Sequence, residues 1–301
     1  MTLTDGVAAT LLRGGVLFLD YDEHEIGALL LKAGGSARPQ DQEAFHQLID
    51  GAMGLARDMT GRTINSRRLY APQSAKLAGL ACPVGTRYLT THGESPMLDL
   101  NRLAGTGITF LRCPVRVAPS TPPAELREYA QHVRRSQRHG LLPVVEIDTD
   151  TEERFLHKAR TAATRALMRA QTALDYADVE PTALLYALRP VVPGPHSHDP
   201  GAPDDIARAT LRAVTDSGIP DRAGILVLPV RRHGGSHAVS AHLAALRRAD
   251  PNRPIGYGLG RSLLGRLARL WRGRPDNTDL ARRELRDTFH LLSTTLRTCT
   301  Q

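Results

Sequence analysis

Short apolar runs of strand length recur along the chain, separated by longer stretches in which apolar residues return at helical spacing. The runs fall at residues 15–20, 79–84, 108–115, 141–147, 182–188, 224–230 and 254–258. An eighth, weaker strand is expected near 64–71, where Asn65, Ser66, Arg67 and Arg68 interrupt the apolar pattern. Strands that alternate with helices predict a parallel sheet with helices covering it. The helices can be read from their ends: Pro122-Pro123 opens one over 124–139 that Gly140 stops, and Pro203-Asp204-Asp205 opens another that ends at Gly218. Eight such units predict an α/β fold, a single (β/α)8 barrel in which residues 1–301 form one domain. A 301-residue chain with 41% hydrophobic residues can bury one core of that size.

In such a barrel the chemistry gathers at the carboxyl ends of the strands. Asp20, Arg112, Glu146, Asp148 and the stretch from His233 onward stand there. After the seventh run the chain reads Arg232-His233-Gly234-Gly235-Ser236, and after the eighth Gly258-Leu259-Gly260-Arg261-Ser262, each leading into a helix. One such turn alone need only be a tight turn. Two of them after the last two strands offer backbone N–H groups and positive helix ends to one anion, and Arg261 adds a charge-assisted bond, so a phosphate site is expected. A Pro/His-rich loop spans 190–203; its His196, His198 and Asp199, with His233 and His237, have only a loose metal-like spacing. Ligands on a flexible loop lack the rigid support a divalent site needs, so no metal is expected.

Charge and composition narrow the partners. Lys plus Arg total 39 against 31 Asp plus Glu, giving +8, and the only lysines are Lys32, Lys76 and Lys158. The arginine clusters at 134–135, 247–248 and 266–274 sit at helical spacing among alanines and leucines, and aromatics are only 4%, so solvated helix faces are expected rather than nucleic-acid binding. Cys82, Cys113 and Cys299 are scattered and odd in number, which points to a reducing, cytoplasmic compartment. No apolar run approaches the ~20 residues that cross a bilayer, and residues 1–13 lack the basic start and apolar stretch of a secretion leader.

Several segments, in order, carry a family resemblance. Gly15-Val16-Leu17-Phe18-Leu19-Asp20, then Ile108-Thr109-Phe110-Leu111-Arg112-Cys113, then Gly140 through Asp148, then Thr182 to Gly194 reading TALLYALRPVVPG, and finally Gly234-Gly235 and Gly260-Arg261 resemble class I fructose-bisphosphate aldolases from about 14 to 296. The resemblance implies a small-molecule substrate, a commonly tetrameric homo-oligomer, a catalytic aspartate at Asp20, a substrate-site arginine at Arg112, an acid/base glutamate at Glu146 with Asp148 beside it, and a phosphate loop. It also implies departures. The family's Schiff-base lysine falls at Ala187 or, aligned on Pro190, at Arg189, and its other active-site lysines fall near Ala81 and at Phe110. A helical pair that holds the distal phosphate becomes Ala28-Leu29, the region 57–78 is shorter, and the family's tail with its terminal tyrosine has no counterpart up to Gln301.

An aldolase of this class turns a carbonyl into an iminium, which needs a nucleophilic amine; a guanidinium stays protonated and cannot supply one. The expectation is therefore a divergent enzyme, a lyase or isomerase of secondary metabolism or carbohydrate modification, that needs no cofactor. It would act on a small phosphorylated or carboxylated carbonyl compound by enolisation, dehydration or aldol-type chemistry without a Schiff base. Glu146 would be general base or acid, Asp20 would orient or protonate a hydroxyl, and Arg112 or Arg189 would stabilise an enolate. The alternative is an inactive pseudo-aldolase that binds a ligand or partner.

Overall fold

The computed structural model describes residues 3–20, 23–53, 57–64, 82–87, 100–103, 106–149, 153–194, 196–230 and 236–298. In chain order they form α1 (Leu3–Leu11), β1 (Val16–Phe18), α2 (Glu23–Lys32), α3 (Pro39–Met53), β2 (Met59–Ile64), β3 (Val84–Arg87), α4 (Leu100–Leu103), β4 (Ile108–Arg116), α5 (Pro123–Arg138), β5 (Leu142–Asp148) and α6 (Leu156–Tyr176). The second part runs β6 (Leu185–Leu188), α7 (Pro203–Asp216), β7 (Gly224–Val227), α8 (Ser236–Ala249), β8 (Ile255–Leu259), α9 (Arg261–Trp271) and α10 (Thr278–Thr298). Each strand pairs in parallel with the next, and β8 returns to β1, closing the barrel. The expected (β/α)8 architecture is the one observed.

Helix boundaries follow local chemistry. Proline stands at the first turn of α5 and α7, where its missing N–H costs nothing, and Asp204 and Asp205 lie at the positive end of α7. Gly140 and Gly218, just beyond these helices, take φ of +72° and +84°, a region glycine enters without the Cβ penalty.

Because strand side chains alternate, the barrel has two cores. Leu17, Leu19, Phe110, Leu142, Val144, Leu185, Ala187, Leu226 and Leu228 fill its interior together with Val7 and Leu11 of α1. Leu11 and Leu12 lie against Gly61, Gly224 and Gly256, so α1 plugs the amino-terminal end of the strands. The other strand faces pack against the helices, with Phe18 near Phe289 (6.3 Å between rings) and Phe45 near Trp271 (5.5 Å). Gly85 of β3 is needed for the inner packing: a Cβ there would lie 2.3 Å from the Phe110 ring.

Two strands differ from expectation. The weak eighth strand, placed near 64–71, is β2 at Met59–Ile64; residues 65–71 lie outside the described residues. Its sequence hides it, because Gly61 faces Leu11 and Leu17 while the next residue, Arg62, is buried and paired with Asp50 of α3 at 2.8 Å. The run at 79–84 gives way to β3 at Val84–Arg87, with 79–81 outside the described residues. No helix among the described residues is long and apolar enough to cross a membrane.

Candidate active site

The apolar filling of the barrel stops where β4, β5 and β6 turn polar. On β4 the inward positions run Phe110, Arg112, Pro114 and Arg116; on β5 they run Leu142, Val144, Glu146 and Asp148. The register sets Arg112 opposite Val144, one layer below Glu146, and Ala187 of β6 directly beside Glu146. Arg112 therefore reaches upward to its partner. Arg189 follows β6 on the same face as Ala187, and that small residue leaves room above it for a guanidinium.

The resulting quartet is compact. Arg112 Nε donates to Glu146 Oε2 at 2.6 Å, with only 4% and 8% of the two side chains exposed. Arg189 Nη2 lies 3.5 Å from Glu146 Oε1 and its Nε 3.8 Å from Asp148 Oδ1, while its Nη1 donates to the Pro229 carbonyl at 2.7 Å. Burial works to raise the Glu146 pKa, but the charge and hydrogen bond of Arg112, then the charges of Arg189 and Arg87, outweigh it and hold this carboxyl below its ordinary value. Glu146 is thus ionised at neutral pH.

These residues face a cavity of about 1100 Å³ that continues outward between α2 and α9. Among the described residues its wall carries Lys32 and seven arginines against three carboxylates, Glu25, Glu146 and Asp148. Arg87, at the end of β3, donates to Glu25 Oε2 at 3.2 Å, and Arg261 Nη1 lies 3.6 Å from Glu25 Oε1. The wall's charge favours an anionic ligand, and the start of α9 behind Gly260 and Arg261 adds its own partial positive charge.

Arg112, Glu146, Asp148, Arg189, Gly260 and Arg261 are all brought to this cavity. Asp20 is not among its lining residues: it is buried at the end of β1, its N–H donating to Thr63 Oγ1 at 2.7 Å, and Leu19 takes the inward position instead. Gly234 and Gly235, with His233, lie outside the described residues; Ser236 opens α8, and His237 follows it. His196, His198 and Asp199 sit exposed on the loop after β6, away from the cavity, where Asp199 Oδ1 accepts from the Gly201 N–H. No cluster of three or more metal-ligating side chains occurs among the described residues.

Sequence reading missed Arg87, Arg116 and Glu25. The first two are inward-facing at strand ends, and correct bounds for β3 and β4 would have exposed them. Glu25 gave no signal beyond an acid in the first turn of a helix, which the helix dipole already explains.

The family profile of Fructose-bisphosphate aldolase class-I matches residues 103–296, more than half of the chain. The chain is similar to fructose-bisphosphate aldolase 2, chloroplastic, of Arabidopsis thaliana, 24% identical over 300 residues that cover 90% of this chain and 74% of the relative. It is also similar to the non-muscle fructose-bisphosphate aldolase of Lethenteron camtschaticum, 26% identical over 69% of this chain and 62% of that protein. Among solved structures, fructose-bisphosphate aldolase from Plasmodium falciparum, in complex with TRAP and a small-molecule inhibitor, superposes with a TM-score of 0.80 at 18% identity over 99% of this chain and 95% of that one. A protein from Corynebacterium glutamicum superposes less closely, with a TM-score of 0.57 at 13% identity over 98% and 92%. With the barrel, the strand-end polar cluster and the profile match in agreement, the chain belongs to the class I fructose-bisphosphate aldolase family.

Proposed function

We propose that this protein is an enzyme that moves a proton beside the carbonyl of a small phosphorylated or carboxylated compound, without forming a Schiff base. The observation that carries this reading is the quartet Arg112–Glu146–Arg189–Asp148 at the floor of a cationic cavity. In the forward step the Glu146 carboxylate takes a proton from the carbon next to the carbonyl. The C–H electron pair forms the enolate double bond, and the charge that moves onto the carbonyl oxygen is met by the Arg189 guanidinium. The ligand's anionic group sits at the start of α9 beside Arg261. Asp20 has no part in this reading, since it does not line the cavity. Because Glu146 is ionised in the empty site, it acts first as base; it becomes an acid only after taking a proton.

No lysine stands on a described strand; Lys158 lies on α6, and Lys32, in the last turn of α2, touches the cavity's outer part. Lys76 lies outside the described residues, and the reading routes no step through an amine. A reducing compartment fits the same reading, on the odd and scattered set of Cys82, Cys113 and Cys299 in the sequence.

One observation favours the second reading, a barrel that binds without turnover. A carboxylate held by Arg112 at 2.6 Å is a weaker base than a free one. The two readings separate in heavy water. Small phosphorylated ketones and 2-oxo acids are incubated with the protein and followed by NMR, in parallel with borohydride reduction and mass spectrometry. Solvent deuterium entering beside the carbonyl, lost in Glu146→Gln, with no reduced adduct, is the expected result. Binding with no exchange would establish the binder, and an adduct on Lys32 or another lysine would refute the Schiff-base-free chemistry.

A further inference from the structure

We propose that Glu25 is a displaceable counter-ion that tunes the site against bare anions, an inference that rests on the anion-binding role given above to Arg261. The carboxylate offers one oxygen to each of two arginines that approach from different elements. Oε2 accepts from Arg87 at the end of β3 at 3.2 Å, and Oε1 lies 3.6 Å from Arg261 at the start of α9. All three side chains line the cavity, so the bridge stands where a ligand's anionic group would sit. It is partly shielded and still reachable: Glu25 is 20% exposed, Arg87 29% and Arg261 61%.

Two facing guanidinium groups without a counter-ion would take up any small anion that diffuses in. With Glu25 between them, an incoming anion must first displace an anion that is already covalently part of the wall. A bare anion such as inorganic phosphate exchanges one set of charge pairs for another and gains little. A substrate that carries the same anion also reaches Arg112, Glu146 and Arg189 deeper in the cavity, and those added contacts make the exchange favourable. Selectivity of this kind comes from weakening the wrong ligand rather than strengthening the right one. The bridge also holds both arginines in place while the site is empty, which lowers the ordering cost when the ligand arrives.

A plain structural reading gives Glu25 no role beyond its place in the first turn of α2, where an acid stabilises the helix start. That reading predicts that Glu25→Gln weakens the fold and leaves anion affinity alone. The proposal predicts tighter anion binding. The full-length protein and its Glu25→Gln, Glu25→Asp, Arg261→Gln and Glu25→Gln/Arg261→Gln variants are titrated calorimetrically with inorganic phosphate, and thermal melting reports the folded state of each. The expected result is phosphate binding about fivefold tighter in Glu25→Gln, the size expected for releasing two partly exposed ion pairs. Glu25→Asp, which keeps the charge on a shorter reach, falls between Gln and wild type, and the gain disappears in the double variant. If Arg261→Gln weakens phosphate binding while neither Glu25 variant tightens it, this inference is wrong and the anion reading stands. If Arg261→Gln and wild type bind phosphate equally, or neither binds it, the anion reading fails and this inference fails with it. A Glu25→Gln protein that does not fold passes the decision to Glu25→Asp, whose unchanged affinity would overturn the proposal.

Discussion

Replacing Glu146 by Gln tests whether the quartet at the barrel's floor is held as tightly as its geometry states. Removing one partner from a buried ion pair costs about 3–5 kcal/mol, because the surviving charge stays out of water without compensation. Glutamine keeps a carbonyl oxygen within reach of Arg112 Nε, which places the expected loss near the lower end, about 3 kcal/mol. With an unfolding entropy of roughly 2.1 cal/mol/K per residue over 301 residues, that loss lowers the melting midpoint by roughly 5 °C. The pH dependence gives the sharper test. Burial would raise the Glu146 pKa, yet Arg112, Arg189 and Arg87 hold it below the ordinary value, so the ionised form belongs to the folded state. Its contribution is complete above the ordinary carboxylate value of about 4.3 and is lost as pH falls through the lowered folded value. The gap between wild type and Glu146→Gln, read by urea unfolding at stepped pH, is therefore widest at neutrality and closes below about pH 4. A loss under about 1 kcal/mol at pH 7, or a gap that stays constant into acid, would show that the pair is solvated and that the argument from burial is wrong.

Three further outcomes follow from particular packing or burial. Gly85→Ala drives a methyl group into the Phe110 ring, at 2.3 Å, and should cost about 1–3 kcal/mol in urea unfolding; the loss should shrink markedly in a Phe110→Leu background. The Cys113 thiol, fully buried, is pushed up to about 12, so iodoacetamide at pH 8 should leave it unmodified in the native protein and alkylate it in urea, as read by mass spectrometry of its peptide. Ala187→Lys sets an amine beside Glu146, whose charge raises its pKa, while burial and the nearby Arg112 and Arg189 lower it; reductive trapping with a phosphorylated ketone at mildly alkaline pH should then give an adduct on that residue. No adduct from a folded variant would mean that the site does not hold the carbonyl carbon next to β6.

Which parts of this molecule could be read from its sequence depended on how each strand earns its burial. In β5 an apolar run gives way to Glu146 and Asp148, and in β4 Arg112 interrupts one; these positions were legible because charge within a buried strand has little structural reason to be there. Strand β2 was misplaced because its stability comes from partners far along the chain: Arg62 from Asp50, and Gly61 from the space Leu11 and Leu17 need. Asp20 stands apart from the others: it follows an apolar strand, as a catalytic acid would, but the two-residue alternation gives the inward slot to Leu19, and Asp20 lies beside Thr63, outside the lining of this cavity. Arg87 and Arg116 stood one or more residues beyond the expected strand ends, and a shift of one residue turns a side chain from the cavity to the helices. Glu25 was invisible because its partners come from β3 and α9, and no pattern along one helix records them.

The same alternation bears on how this barrel does chemistry. The resemblance to the family puts the missing amine at Ala187 or Arg189, and both positions face inward, two residues or ~6.6 Å apart along one strand direction. Ala187 lies at the level of Glu146, where its methyl group leaves a gap; Arg189, one layer higher, brings its guanidinium to within 3.5 Å of Glu146 and 3.8 Å of Asp148. Whichever of the two positions matches the family's lysine, a permanent cation stands over the acids here. An amine must lose its proton to attack a carbonyl and so is useful only where its charge is suppressed, whereas a guanidinium keeps its charge under the same neighbours. The wall of arginines that would activate a lysine is thus also a wall that can hold an enolate directly, by electrostatic attraction in place of a covalent electron sink. On this reasoning, Glu146 with no amine on the neighbouring described strands is still supplied with an oxyanion acceptor, and the deuterium-exchange experiment asks whether that is enough for turnover.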